Sequence, residues 1–157
     1  MYQKQHRDSY YPKRPLHSFQ DLEVYQKALE CSVLVAKQVN VYLQLPVKKK
    51  KQLHTVMIDE LLLKNLLPCA LGIPHQVAEA HSLRFGDHTA GIAAIEKAMI
   101  NCNKIIVYLE QFRDICDTRI PWEFFDEVIK KYLYMRRKML HLEQAWKKFM
   151  PGHRAEV

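Results

Sequence analysis

The feature that most constrains the fold is a row of apolar residues near the C-terminal end of the sequence, spaced at alternating steps of three and four. This spacing places side chains on one face of an α-helix and is typical of the seam along which bundle helices pack at shallow angles. A helix with such a seam has to bury it against other helices. The seam consists of Phe125, Val128, Tyr132, Met135, Met139, Leu142, Trp146 and Phe149.

Three earlier segments have similar helical spacing. The first is predicted to begin at Phe19, with Ser18 as its cap, and to end near Gln44, because Pro46 disfavours helical geometry in the residue before it. Its predicted core face consists of Leu22, Tyr25, Leu29, Val33, Ala36, Val39 and Leu43.

The second segment runs from Leu53 to Leu67 and is interrupted at Pro68. Because Gly72 and Pro74 follow closely, residues 69–85 are predicted to form either a kinked continuation or a separate short helix. The apolar positions in the first part of this segment include Val56, Met57, Leu61 and Leu62.

The third segment is predicted to begin after Gly86, with Asp87 as the N-cap. Its apolar face consists of Ile92, Ile95, Met99, Cys102, Ile106, Leu109 and Phe112.

Four amphipathic helices with short connections predict an all-α fold, specifically an antiparallel up-down four-helix bundle with helix two kinked or broken near Pro68 to Pro74. The length of 157 residues suits one domain, and only four glycines leave few positions for tight β-turns. The predicted organisation is a basic arm at 1–18, the bundle at 19–150 and a C-terminal tail at 151–157.

The cysteines and the hydropathy pattern predict a cytoplasmic protein. Cys31, Cys69, Cys102 and Cys116 form no C-x-x-C pair and lie in apolar or amphipathic stretches, so we expect reduced, buried thiols. No stretch approaches the roughly 18 to 20 apolar residues that cross a bilayer, and no signal-like segment follows Met1. We therefore expect no membrane partner.

Catalytic motifs are not found in the sequence. It has no glycine-rich phosphate loop, no G-x-S-x-G and no H-E-x-x-H, so it predicts a protein that is not an enzyme and needs no cofactor. One cluster is chemically able to bind zinc, but its spacing matches no standard site, and a small bundle metalloprotein remains an alternative. The cluster consists of Cys69, His75, Glu79, His81 and His88.

Positive charge is concentrated in the lysine run at 48–51 and along the last predicted helix. Twenty-four Lys and Arg against seventeen Asp and Glu give a formal net charge of +7. Phosphate is the natural partner of such clusters, since each neutralised phosphate releases counterions. The alternative is a solvated helix face that keeps the protein soluble. The predicted contacts with nucleic acid or a partner enzyme are Lys48, Lys49, Lys50, Lys51, Lys130, Lys131, Arg136, Arg137, Lys138, Lys147 and Lys148.

Several short motifs resemble a group of four-helix-bundle proteins with two branches. The segment FQDLEVYQKAL at 19–29 is similar to the helix-one signature of this group, as is Leu45-Pro46 followed by lysines and Leu53. The segment ALGIPHQVAEA at 70–80 resembles the bundle protein encoded by intervening sequences in bacterial large-subunit ribosomal RNA genes. The segment MRRKML at 135–140, leading to Trp146-Lys147-Lys148, resembles the accessory variability determinant protein of diversity-generating retroelements.

The resemblance to the accessory variability determinant branch implies a noncatalytic subunit that assembles as a homopentamer. Its basic surface engages a reverse transcriptase and the template RNA or RNA–DNA duplex during mutagenic synthesis of complementary DNA. The resemblance to the ribosomal intervening-sequence branch implies a structural homo-oligomer with no defined role in nucleic-acid binding. Both expectations come from the resemblance, and the residues themselves identify neither partner.

Overall fold

Every regular element in the described part of the chain is helical. A computed structural model describes residues 18–45, 52–116 and 118–150. The predicted arm before Ser18 and the predicted tail at 151–157 lie outside these ranges. The elements are a 3-10 turn (Phe19–Asp21), α1 (Glu23–Gln44), α2 (Gln52–Asp59), a π-helical turn (Glu60–Leu66), α3 (Leu67–Leu83), α4 (His88–Ile115) and α5 (Trp122–Lys147).

The predicted end of α1 and the predicted cap of α4 are confirmed, whereas α1 itself begins at Glu23, four residues later than predicted, after a 3-10 turn. The Ser18 hydroxyl accepts a hydrogen bond from the Gln20 amide at 3.2 Å and caps the 3-10 turn that leads into α1. Helix α1 ends at Gln44, where Leu45 turns to extended backbone before a proline. The Asp87 carboxylate caps α4 by accepting from the Ala90 amide at 3.0 Å.

The second helical segment is a continuation, not two separate helices. Elements α2, the π-helical turn and α3 follow one another without a break from Gln52 to Leu83. Within the π-helical turn, the Leu67 amide donates to the carbonyl of Leu62, five residues back, and the Asn65 side chain donates to the Glu60 carbonyl at 3.0 Å. The distortion therefore precedes Pro68, because the extra residue of a π turn rearranges the carbonyls ahead of the proline.

Helix α3 contacts α1 and α4, and α5 contacts α4 and α1. Helices α4 and α5 run antiparallel, because the Phe112 ring meets Phe125 while Glu96, nearer the start of α4, meets Lys147, near the end of α5. An all-α helical bundle is thus confirmed. The up-down order of the whole bundle stays a prediction.

The predicted core faces of the third and fourth segments are largely confirmed. In α4 every predicted position is buried except Ile106, which is half-buried, and in α5 the seam is buried from Phe125 to Trp146, with Leu142 half-buried. Phe149 was wrongly assigned to the core, since its side chain is 75% exposed. The reason is that α5 ends at Lys147, so the helical period no longer orients this residue.

The predicted core face of α1 is wrong at three of its seven positions. Leu29, Val33 and Leu43 are 45%, 41% and 38% exposed. Helix α1 carries two apolar stripes, and the one with the smaller residues faces the bundle, where it lets neighbouring helices approach. Val56 and Met57 in α2 are also exposed. The buried residues of α1 are Val24, Ala28, Cys31, Ser32, Val35, Val39 and Tyr42.

The cysteines are thiols in or beside the core, as predicted. Cys31, Cys102 and Cys116 are buried, Cys69 is half-buried, and the four form no disulfide. Burial raises the pKa of Cys31 and Cys69 to about 11 and that of Cys102 to about 12. These thiols therefore stay protonated near neutral pH, and the protonated form is a poor nucleophile and metal ligand.

Candidate nucleic-acid interface

The outer face of α5 carries a row of cations opposite the buried seam. Lys130, Arg137, His141 and Lys148 follow one another at steps of seven, four and seven, and at 100° per residue they fall within an arc of about 40°. All four side chains are exposed. Because the opposite side of the helix is held in the core by Met135 and its neighbours, this row has to face away from the bundle.

Two of the predicted contact residues are already paired with carboxylates. Lys130 Nζ lies 2.7 Å from Asp126 Oδ2, one turn earlier, and Lys131 Nζ lies 2.9 Å from Glu30 Oε1 on α1. The hydrogen bonds that the two lysines donate to these carboxylates raise the pKa of both lysines, and the bond from Lys131 lowers the pKa of Glu30. Binding a phosphate here would first require breaking these pairs, so their contribution to polyanion binding is reduced.

Lys147 is also paired, in a small network that the sequence did not indicate. Its Nζ lies 2.6 Å from Glu143 Oε1 and 3.5 Å from Glu96 Oε1 on α4. Glu143 is only 6% exposed although it is charged. Burial pushes the pKa of Glu143 upward, but hydrogen bonding with Lys147 and Glu96 outweighs burial and leaves the pKa lowered. This network joins α4 to α5 and occupies Lys147 in a structural contact.

The remaining cations of α5 have no carboxylate partner among the residues that the structure describes. No carboxylate oxygen there lies within 4.0 Å of Arg136, Arg137, Lys138 or Lys148. By helical angle, Arg136 lies on the side toward α4, whereas Arg137 and Lys148 belong to the outer row. These unpaired charges are available to phosphate without a competing pair.

A tyrosine extends this surface toward α1. Lys138 Nζ and Lys27 Nζ lie 5.3 Å and 5.0 Å from the centroid of the Tyr134 ring, and the Tyr134 hydroxyl donates to Glu23 at 3.0 Å. The ring quadrupole attracts both ammonium groups. The sequence prediction missed Lys27 and Tyr134. The four-residue step from Tyr134 to Lys138 was a usable signal, but the approach of Lys27 depends on how α1 packs against α5.

The predicted lysine run Lys48, Lys49, Lys50 and Lys51 lies outside the described residues. The zinc-capable cluster is described, and its members do not converge. His75 and Glu79 are exposed, His81 is buried, and the Cys69 thiol donates to the Asn101 carbonyl at 3.4 Å. Within residues 18–45, 52–116 and 118–150, no three His, Cys, Asp or Glu side chains are placed to hold a metal ion.

Comparison with known protein families, with curated proteins and with solved structures gave no match. Among the described helices, none combines the length and apolar character needed to cross a membrane. The fold and the site therefore define this chain as an all-helical bundle with a cationic outer helix face.

Proposed function

We propose that this protein binds nucleic acid through the outer face of α5, as a noncatalytic accessory subunit that holds template RNA or an RNA–DNA duplex beside a reverse transcriptase. The observation that carries the proposal is the set of unpaired cations on a helix whose other side is buried. Arg137, Lys138 and Lys148 are the principal contacts, and Arg136 adds charge on the side toward α4.

The physical basis is the release of counterions from the phosphate backbone. A rigid helix presents its cations at fixed spacing, so several can meet phosphates along one strand or duplex without ordering a flexible segment. Phosphate contacts of this kind position a protein without reading bases. We therefore expect binding that is strongly dependent on salt and weakly dependent on sequence.

The reverse transcriptase as a partner rests on the resemblance of the α5 sequence to the accessory proteins of diversity-generating retroelements. That branch also implies a homopentamer. The partner can be tested from the genome, because a neighbouring reverse-transcriptase gene with a paired variable and template repeat supports this branch, whereas the subunit number is tested by the mass in solution. A position inside a ribosomal RNA gene supports the intervening-sequence branch.

The binding proposal is tested by measuring the affinity of the purified protein for an RNA hairpin and for an RNA–DNA duplex at several salt concentrations. With four unpaired cations on α5, we expect the logarithm of the association constant to fall against the logarithm of salt with a slope of about −3. A slope near zero, or no binding at about 50 mM salt, would contradict the proposal.

A second candidate function is that of a structural homo-oligomer, and the second apolar stripe of α1 favours it. Leu29 and Val33 are exposed one turn apart, and Leu71 on the adjoining helix α3 is 46% exposed. A heptad-like stripe of exposed aliphatic side chains is costly in water and is typical of a surface covered by another chain. A second copy would bury this stripe.

The variant Leu29→Asp/Val33→Asp tests the α1 stripe. We expect the mass in solution to fall to that of one chain with helicity retained, because two buried carboxylates would oppose the contact between copies. The matched control is Leu63→Asp/Leu140→Asp, which changes two exposed aliphatic residues that lie on separate elements and is expected to leave the mass unchanged. Equal masses for the original protein and the α1 variant would rule out this surface as the interface.

A further inference from the structure

The two most exposed large apolar side chains in the described part of the chain are phenylalanines. Phe85, in the turn between α3 and α4, is 76% exposed, and Phe149, just after α5, is 75% exposed. Exposing rings of this size to water costs free energy. The contacts of Arg84 place both residues at the same end of the bundle.

Arg84 joins the two positions. Its guanidinium carbon lies 4.1 Å from the centroid of the Phe85 ring and 5.8 Å from that of Trp146, while the Phe149 amide donates to the Trp146 carbonyl at 3.1 Å. Arg84 therefore stands between two aromatic rings, in contact with the turn and with the end of α5. We name Arg84, Phe85, Trp146 and Phe149 the aromatic end.

The charge of Arg84 is not compensated by any described residue. No carboxylate there lies within 4.0 Å of it, and its Nε atom is buried without an acceptor. The nearest titratable neighbour on α3, His81, is buried, and burial followed by the charge of Arg84 lowers its pKa, so it is neutral near pH 7. The aromatic end thus keeps an unpaired positive charge beside exposed rings.

Backbone packing holds Arg84 in place. A Cβ atom added at Gly91 would lie 3.0 Å from the Arg84 Cα and 3.3 Å from the Ala80 carbonyl oxygen, so α3 and α4 approach closely at this point. The Asp87 carboxylate in the same turn is engaged in capping α4. The Phe85 ring, which lies 4.1 Å from the Arg84 guanidinium and is exposed on the rest of its surface, is therefore preorganised for stacking, and this reduces the entropy lost on binding.

We propose that the aromatic end is a stacking platform for unpaired bases of single-stranded RNA or DNA. Every nucleobase has a π-face that stacks on phenylalanine or on a guanidinium plane, and cationic surfaces interleaved with aromatic rings are typical of proteins that bind single strands. In a duplex these faces are covered by neighbouring base pairs, so the platform selects unpaired segments.

The outer row of α5 leads directly to this platform. Lys148, the last cation of the row, immediately precedes Phe149. Lys147 offsets one of the two carboxylate charges of Glu96 and Glu143 on this end. A strand whose phosphates follow the row from Arg137 to Lys148 therefore arrives with its next bases at the aromatic end. The platform rests on the proposed function, since it requires nucleic acid on α5.

The test is the variant Phe85→Ala/Phe149→Ala in the full chain, with a short single-stranded RNA that contains 2-aminopurine and a blunt RNA duplex as probes. Stacking by one aromatic side chain changes affinity by roughly 5-fold to 150-fold, so we expect the double variant to bind the single strand at least about 30-fold more weakly. Quenching of 2-aminopurine fluorescence is expected to disappear. Duplex affinity and the salt slope are expected to stay unchanged.

The matched control is Phe85→Tyr/Phe149→Tyr, which keeps both rings and is expected to retain single-strand binding and quenching. If the alanine variant binds the single strand as the original protein does, the platform is wrong while salt-dependent binding along α5 still stands. If single-strand binding is lost in the alanine variant but no form shows salt dependence, the proposed function of α5 fails and the platform remains. If no form binds either probe, both are overturned.

Discussion

Replacing Arg137, Lys138 and Lys148 together with glutamate is expected to lower the affinity for RNA by about a hundredfold or more at about 100 mM salt. These residues supply the unpaired charge of the outer α5 face, so their reversal removes three phosphate contacts and adds repulsion. The salt slope is expected to fall by about 2 in magnitude, since each lost phosphate contact removes about 0.7 to 0.9. Binding measured by fluorescence anisotropy at two salt concentrations, with circular dichroism to check helicity, provides the readout.

The control for this variant makes the same change in net charge elsewhere. Lys97, Lys104 and Arg119 are exposed, have no carboxylate partner within 4.0 Å in the described ranges, and lie in α4 or in the turn before α5 and not in α5 itself. Their replacement by glutamate is expected to weaken binding only a few fold, through the general field of the protein. If both variants lose affinity equally, net charge accounts for the binding and the α5 face has no special role.

The variant Phe112→Ala is expected to lower the free energy of unfolding by about 3–5 kcal/mol. The Phe112 ring is 1% exposed and lies at the centre of an aromatic group that joins three helices. It meets Tyr42 of α1 at 5.3 Å and Phe125 of α5 at 5.6 Å, both edge to face. Its removal loses buried apolar area, two ring contacts and the filling of the space between the helices.

Phe149→Ala is the matched control, because it deletes the same side chain at an exposed position. We expect this substitution to change the free energy of unfolding by no more than about 0.5 kcal/mol. Urea denaturation followed by circular dichroism separates the two variants by the midpoint at a constant slope. Similar midpoints for the two would mean that the Phe112 ring does not lie in the core.

The part of the site that could be predicted from the sequence is the part that depends on contacts within one helix. The row on α5 follows from helical period alone, so Lys130, Arg137 and Lys148 could be placed on one face from their spacing. Pairing within the helix, such as Lys130 with Asp126, was also visible as a four-residue step. The partners of Lys131 and Lys147 on other helices were not, because Glu30 and Glu96 are brought to them only when the bundle forms.

The contacts of the aromatic end also depend on tertiary packing. Arg84 and Phe85 are neighbours in the sequence, but nothing in the sequence indicates that they meet Trp146. Their contact follows from the antiparallel packing of α4 and α5 and from the close approach of α3 to α4 at Gly91. Sequence reasoning therefore located the cations of α5 but not this junction.

The sequence by itself determined the helical class, the caps at Ser18 and Asp87 and the buried seams of α4 and α5, because these depend on period and on hydrogen bonds within a few residues. Only the tertiary structure decided which stripe of α1 is buried, since both stripes are apolar and the choice rests on which side chains let the neighbouring helices approach. The tertiary structure also decided which α5 cations are paired with carboxylates of other helices, because those carboxylates come close only when the helices pack.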